Sequence, residues 1–170
     1  MKAAIGSNVV NVVFGSPITA LAAGIFSLVV GCGNDVQSLT QDFSKHKDRL
    51  NELKVVMLSL KKSSGITGYV TQMGDKKDFL VSGGNTVPVN SLSSENVSKA
   101  GRLKEIVHEI KVSNVHVLDR DALWVVMASG GVLGTDAGYT SYDSSPPFPS
   151  GDKAKYFPIP GEAGWYVFVR

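Results

Sequence analysis

The chain has 170 residues, enough for one ordinary domain with an appendage and too few for two enzyme-sized ones. Its 17 Lys and Arg stand against 15 Asp and Glu, with both signs interspersed, so there is no basic field to neutralise phosphates and nucleic acid is not an expected partner. A single cysteine, Cys32, excludes an internal disulfide framework and a Cys-rich zinc site, leaving the hydrophobic core to hold the fold.

Residues 1–31 hold no acidic side chain and one basic one, Lys2, and end in an apolar run from Ala20 to Val30 that Ser27 interrupts. A positive start, an apolar stretch of about 7 to 15 residues and small residues at its end follow the order of a secretory signal. Asn8, Asn11, Gly15, Ser16 and Pro17 break the roughly 20 apolar residues that a spanning helix needs. Pro17 would also kink a helix begun at Ala3. The run Leu28-Val29-Val30-Gly31-Cys32 resembles the lipobox of bacterial lipoproteins, a resemblance confined to this segment. It implies cleavage between Gly31 and Cys32, a diacylglycerol on the Cys32 thiol, and a further acyl chain such as palmitate on the new amino group. More than one chain is what makes such anchoring stable, each buried CH₂ contributing about 0.8 kcal/mol. Two other readings stand beside it: a cysteine packed as a small hydrophobe in a core helix, and an uncleaved signal anchor. Gly33 occupies the place where an aspartate marks inner-membrane retention in one bacterial group. By the same resemblance the anchor belongs to the outer membrane, facing the periplasm.

After Cys32 the sequence turns polar and reads as one long helix closed by Gly65. Val36, Leu39, Phe43, His46, Leu50, Leu53, Met57 and Leu60 follow three-four spacing, apolar at every heptad core position except His46. Such a seam serves either a coiled-coil stalk or a helix lying on the chain's own sheet; Val55, Val56 and Leu58 widen the apolar face and favour the second. Self-association is then left to the first half of the helix. His46 reads as a solvated side chain, with a pH switch as the sharper alternative.

Ile66 to Met73 and Phe79 to Val81 read as short strands punctuated by Gly74-Asp75 and Gly83-Gly84-Asn85. A second helix is expected over Ser93 to Lys111, from Val97, Ala100, Leu103, Val107 and Ile110, with Ser93 or Ser94 as N-cap. The strand pair 115–118 and 122–128 turns at Asp119-Arg120-Asp121. An extended run over 130–142 then leads through the proline loop 144–152 to a last strand, where Trp165, Val167 and Val169 face one side and Tyr166 and Phe168 the other. The expected class is α+β, a small antiparallel sheet with two helices, the first long and heptad-patterned. Its parts are a cleaved signal over 1–31, an anchor stem and long helix over 32–64, and a small α+β domain over 65–170.

The last 55 residues or so resemble, in the order of their features, short uncharacterised bacterial exported proteins: the run 117–127, Gly138-Tyr139, the loop Pro146-Pro147-Phe148-Pro149, Tyr156-Phe157 and Gly164-Trp165-Tyr166. That layout implies a compact antiparallel sheet outside the cytoplasm and no known activity.

No catalytic constellation is legible. Glu105 and His108 have the spacing of a di-metal carboxylate helix but lack partner ligands on other helices. His108-Glu109 starts the metalloprotease pattern, yet its second histidine is replaced by Val112. The sequence around Ser129 lacks the glycine of a nucleophile elbow. No glycine run matches a phosphate or dinucleotide loop. Neither cofactor nor metal is expected. Tyr139, Tyr142, Phe148, Tyr156 and Trp165 form a candidate recognition groove for a peptide or glycan, since rigid rings give contact area at low entropic cost; core and lid is the plainer reading. The expectation is thus a membrane-tethered envelope lipoprotein with a non-catalytic binding or structural role, engaging an envelope partner or itself. The alternatives are a small hydrolase of cell-wall material, for which Glu105, His108, His116 and Asp136 are the residues to inspect, and a homo-oligomeric coiled-coil stalk.

Overall fold

The computed structural model describes residues 17–72, 77–127, 136–142 and 154–170, the side chains of 17–35, 72 and 119 apart. The chain divides into two compact units, Met1–Gly33 and Asn34–Arg170. The long helix therefore belongs, from Asn34 on, to the same unit as the sheet.

Helix α1 spans Pro17–Ser64. Proline suits a first helical position, where its missing N–H would have had no partner. At the other end Gly65 takes a φ of 70° and donates its amide to the Lys61 carbonyl at 3.0 Å, the left-handed cap that only glycine adopts freely. Phe43, Leu50, Leu53, Met57 and Leu60 are buried, and half-buried Val36 and Leu39 pack against the same core. Between Phe43 and Leu60 the seam is thus filled by the chain's own sheet. Val56 and Leu58 extend the contact, whereas Val55 remains 67% exposed. His46 is half-buried.

Among the described residues eight strands form one antiparallel sheet in the order β3-β2-β1-β4-β5-β6-β8-β7, where β1 is Gly68–Gln72, β2 Lys77–Ser82, β3 Asn85–Val87, β4 Val112–Val117, β5 Leu123–Met127, β6 Ala137–Ser141, β7 Lys155–Pro158 and β8 Trp165–Val169. With α1 and α2, Ser94–Glu109, this is the α+β class expected from the sequence. Two short edge strands escape the sequence reading. Asn85–Val87 looks like turn polarity, and Lys155–Pro158 ends on a proline; each becomes a strand because its neighbour, β2 or β8, supplies the pairing. The hairpin between β2 and β3 turns on Gly83 and Gly84, both at positive φ.

Helix α2 begins as expected: the Ser93 side chain accepts from the Asn96 amide at 3.4 Å. It buries Ala100, Leu103, Ile106 and Val107, but Val97 lies on the outer face, 38% exposed. The helix ends at Glu109 because Lys111 takes a φ of 57°, turning the chain sharply into β4. Arg120 and Asp121, at φ 57° and 58°, make the tight turn from β4 to β5, with the Leu118 amide on the Ala122 carbonyl at 2.7 Å. Lys61 on α1 holds that turn through Asp121 at 2.9 Å.

Both helices lie on one face of the sheet. Tyr69, Leu80, Val115, Val117, Leu123, Val125, Tyr139, Trp165 and Val167 point into that layer. The opposite face carries a smaller cluster of Trp124, Val126 and Phe168, joined by Leu118, Ala154 and Tyr156. The alternation expected for the last strand is therefore present, and the strand is covered on both sides.

Candidate functional site

The aromatic residues named from the sequence divide between the two faces. Tyr139 and Trp165 are core: Phe43 of α1 packs its ring edge-on to Tyr139 and tilted to Trp165, with centroids 5.4 Å apart in each case. The Tyr139 hydroxyl donates to the Leu39 carbonyl at 2.9 Å, and the Trp165 indole N–H donates to Asn51 Oδ1 at 3.2 Å. Burial, with the charge of Asp42 adding to it, raises the pKa of Tyr139. Tyr156 lies on the other face against Trp124, centroids 6.1 Å apart. Tyr142 is buried and meets Tyr166 edge-on at 6.3 Å. Phe148 lies outside the described residues. The four that are described do not share one surface; two of them pin α1 to the sheet.

The most concentrated polar cluster was not visible in the sequence. Asp78, on the helix-side face of β2 with a side chain only 10% exposed, accepts from Lys104 Nζ at 2.9 Å and from His108 Nε2 at 3.2 Å. Burial alone would raise its pKa, but hydrogen bonds from Lys104 and His108, the facing Tyr69 hydroxyl and the charge of Lys104 outweigh it, and the carboxyl stays below its usual range. The same burial, with the Asp78 charge, pushes the Tyr69 hydroxyl well up. Asp78, Lys104 and His108 are engaged with one another, so the cluster fastens α2 to the edge half of the sheet. The signal was an acidic residue at an inward position of a strand and a Lys-His pair at i,i+4 on the next helix.

A second polar set joins the helices. Glu52 of α1 accepts from Arg102 Nε at 2.6 Å, from its Nη2 at 2.9 Å, and from Arg49 Nη1 at 3.0 Å. Arg49 also meets Glu109 at 2.9 Å, and Arg102 meets Glu105 at 2.8 Å. This chain of charges fixes α2 beside α1; half-buried at Arg49, Glu52 and Arg102 and exposed at Glu105 and Glu109, it contributes register more than stability.

Of the four residues to inspect for hydrolysis, Glu105 is thus bound to Arg102 and His108 to Asp78. His116 is on β4, facing away from the helices. Asp136 precedes β6 and takes the Arg170 amide on its carbonyl at 2.8 Å. The fold does not bring them together. Among the described residues no three His, Cys, Asp or Glu side chains are placed to hold a metal ion.

His116 is paired across the sheet with Gly68 on one side and Trp124 on the other. Its ring lies directly over Gly68: a Cβ there would come within 2.9 Å of Nδ1 and 3.3 Å of the Val81 Cβ. Burial lowers its pKa from the ordinary 6.5. A histidine whose folded pKa is depressed is neutral in the fold, so its contribution is complete above pH 6.5 and is lost as the pH falls through the folded value. His116→Gln is therefore expected to flatten the fall in urea midpoint between neutral pH and the mildly acid range, measured on both proteins across that window. An unaltered slope would show that other groups carry the acid sensitivity.

Cys32 lies within α1 and in the first compact unit, directly before its end at Gly33. Among the described residues no helix is long and apolar enough to cross a membrane. No family model matches this chain, and neither a curated protein nor a solved structure matches it.

Proposed function

We propose that the chain is a lipid-anchored envelope protein, tethered through Cys32, whose α+β body has a non-catalytic binding or structural role. The supporting observation is where the body begins. The compact unit starts at Asn34, two residues past Cys32, and the described core is built from Val36 onward. Cleavage between Gly31 and Cys32 would leave that unit whole and place the acylated residue at its threshold. The titratable side chains on the helix side support the non-catalytic part of the reading, since Asp78, Lys104, His108, Glu52 and Arg102 are occupied in joining helices to sheet or to each other. In this reading the body faces the periplasm from the outer membrane and meets another envelope component there.

The test is metabolic labelling with a fatty acid in a bacterial host, comparing the native chain with Cys32→Ser. The native chain is expected to carry label and to sediment with membranes, while Cys32→Ser loses the label and retains an uncleaved leader. A native product that carries no label and keeps an amino terminus at Met1 would overturn the anchor.

A further inference from the structure

We propose that the β7 edge of the sheet, through Phe157 and Lys155, rests on the lipid surface; this rests on the anchor reading above. The reason is the shortness of the tether. Leu39 is held on the sheet by the Tyr139 hydroxyl and packs against the core, and it stands only seven positions past Cys32. Seven residues reach at most about 25 Å even when fully extended, and about 10 Å as a helix. An acylated Cys32 leaves no room for a long stalk, so the part of the body nearest Leu39 meets the headgroups.

The strand register says which part that is. Tyr139 of β6 is opposite Val167 of β8, and Val167 is opposite Phe157 of β7. Cross-strand partners share a face, so Phe157 stands in the same row as Tyr139 on the helix side, two strand spacings or about 10 Å away. It lies on the edge strand of the sheet and is 37% exposed, one of four large hydrophobic side chains exposed among the described residues. Two residues earlier on the same face, Lys155 is exposed and forms no ion pair among the described residues. An aromatic ring with a neighbouring ammonium is the pair that enters an interface: the ring partitions to headgroup depth and the cation meets anionic lipid. The Pro158 that ends β7 blunts the edge against a further strand, which leaves its side chains, not its backbone, as the contact.

The test uses the full lipidated chain, with Phe157→Trp and, as a distant reference, Val97→Trp. Val97 adjoins Asn96, which is hydrogen-bonded to Ser63 at 2.7 Å, and Ser63 is roughly 36 Å along α1 from Leu39. Each variant is reconstituted into vesicles of phosphatidylethanolamine and phosphatidylglycerol containing a brominated phosphatidylcholine. The native signal is subtracted; Trp124 and Trp165 are both buried. The indole at 157 is expected to lose most of its fluorescence to the bromine and the indole at 97 to keep it. With acyl label present on Cys32, equal quenching at the two positions, or none at 157, overturns the surface and leaves the anchor standing. Absence of the acyl label overturns both.

Discussion

Gly138→Ala is expected to destabilise the protein by about 3 kcal/mol or more, among the largest effects open to a single methyl group. The backbone of β5 approaches Gly138 so closely that an added Cβ would stand 2.0 Å from the Val125 carbonyl oxygen and 3.0 Å from the Met127 amide nitrogen. Both obstacles are main chain in the centre of the sheet, so neither can rotate aside. The missing side chain also opens the opposite face, where Val126 and Phe168 are the cross-strand partners of Gly138 and the Trp124 and Phe168 rings come within 3.9 Å. Gly101 is the control. It lies on α2 with nothing within 4 Å of a built Cβ, so Gly101→Ala is expected to stabilise by up to about 1 kcal/mol. Urea denaturation of the two variants checks both signs. A Gly138→Ala protein as stable as the native one would show that β5 and β6 are not so closely apposed.

Phe43→Ala is expected to cost about 3 to 5 kcal/mol, because the ring is buried and fills the space between Tyr139 and Trp165. Losing it removes both ring-to-ring contacts among the described residues that join α1 to β6 and β8, leaving polar contacts such as those of Leu39, Asn51, Lys47 and Lys54 to hold that half of the helix. The outcome bears on function as well as stability. If α1 served mainly as a self-associating stalk, Phe43→Ala would lower the oligomer mass and spare the sheet. In the packing seen here it lowers the denaturation midpoint and the near-ultraviolet signal of Trp165. A monomeric mass for both proteins with a large shift in midpoint is the expected result. An unchanged midpoint with a changed mass would reverse the assignment of the seam.

The same physical logic separates what was legible in the sequence from what was not. The three-four spacing from Val36 to Leu60 marked α1 because a helix repeats its faces every 3.6 residues, and the Gly65 and Ser93 caps marked ends because their backbone requirements are local. The alternation Trp165 to Val169 marked a strand with two buried faces for the same reason. Residue type and short-range periodicity likewise sufficed for the α+β class.

Tertiary structure decided what depends on partners distant in sequence. Asn85–Val87 and Lys155–Pro158 are too short to read as strands on their own; pairing with β2 and β8 completes them. Heptad spacing alone could not choose between a second copy and the chain's own sheet, since both offer an apolar surface of the same period, and Tyr139 and Trp165 settled the packing of Phe43. Asp78 became a buried carboxylate only where β2 runs beneath Lys104 and His108, residues at least 26 positions away. Periodicity is a property of neighbours along the chain, and sequence carries it; burial and pairing are properties of neighbours in space, which only the fold creates.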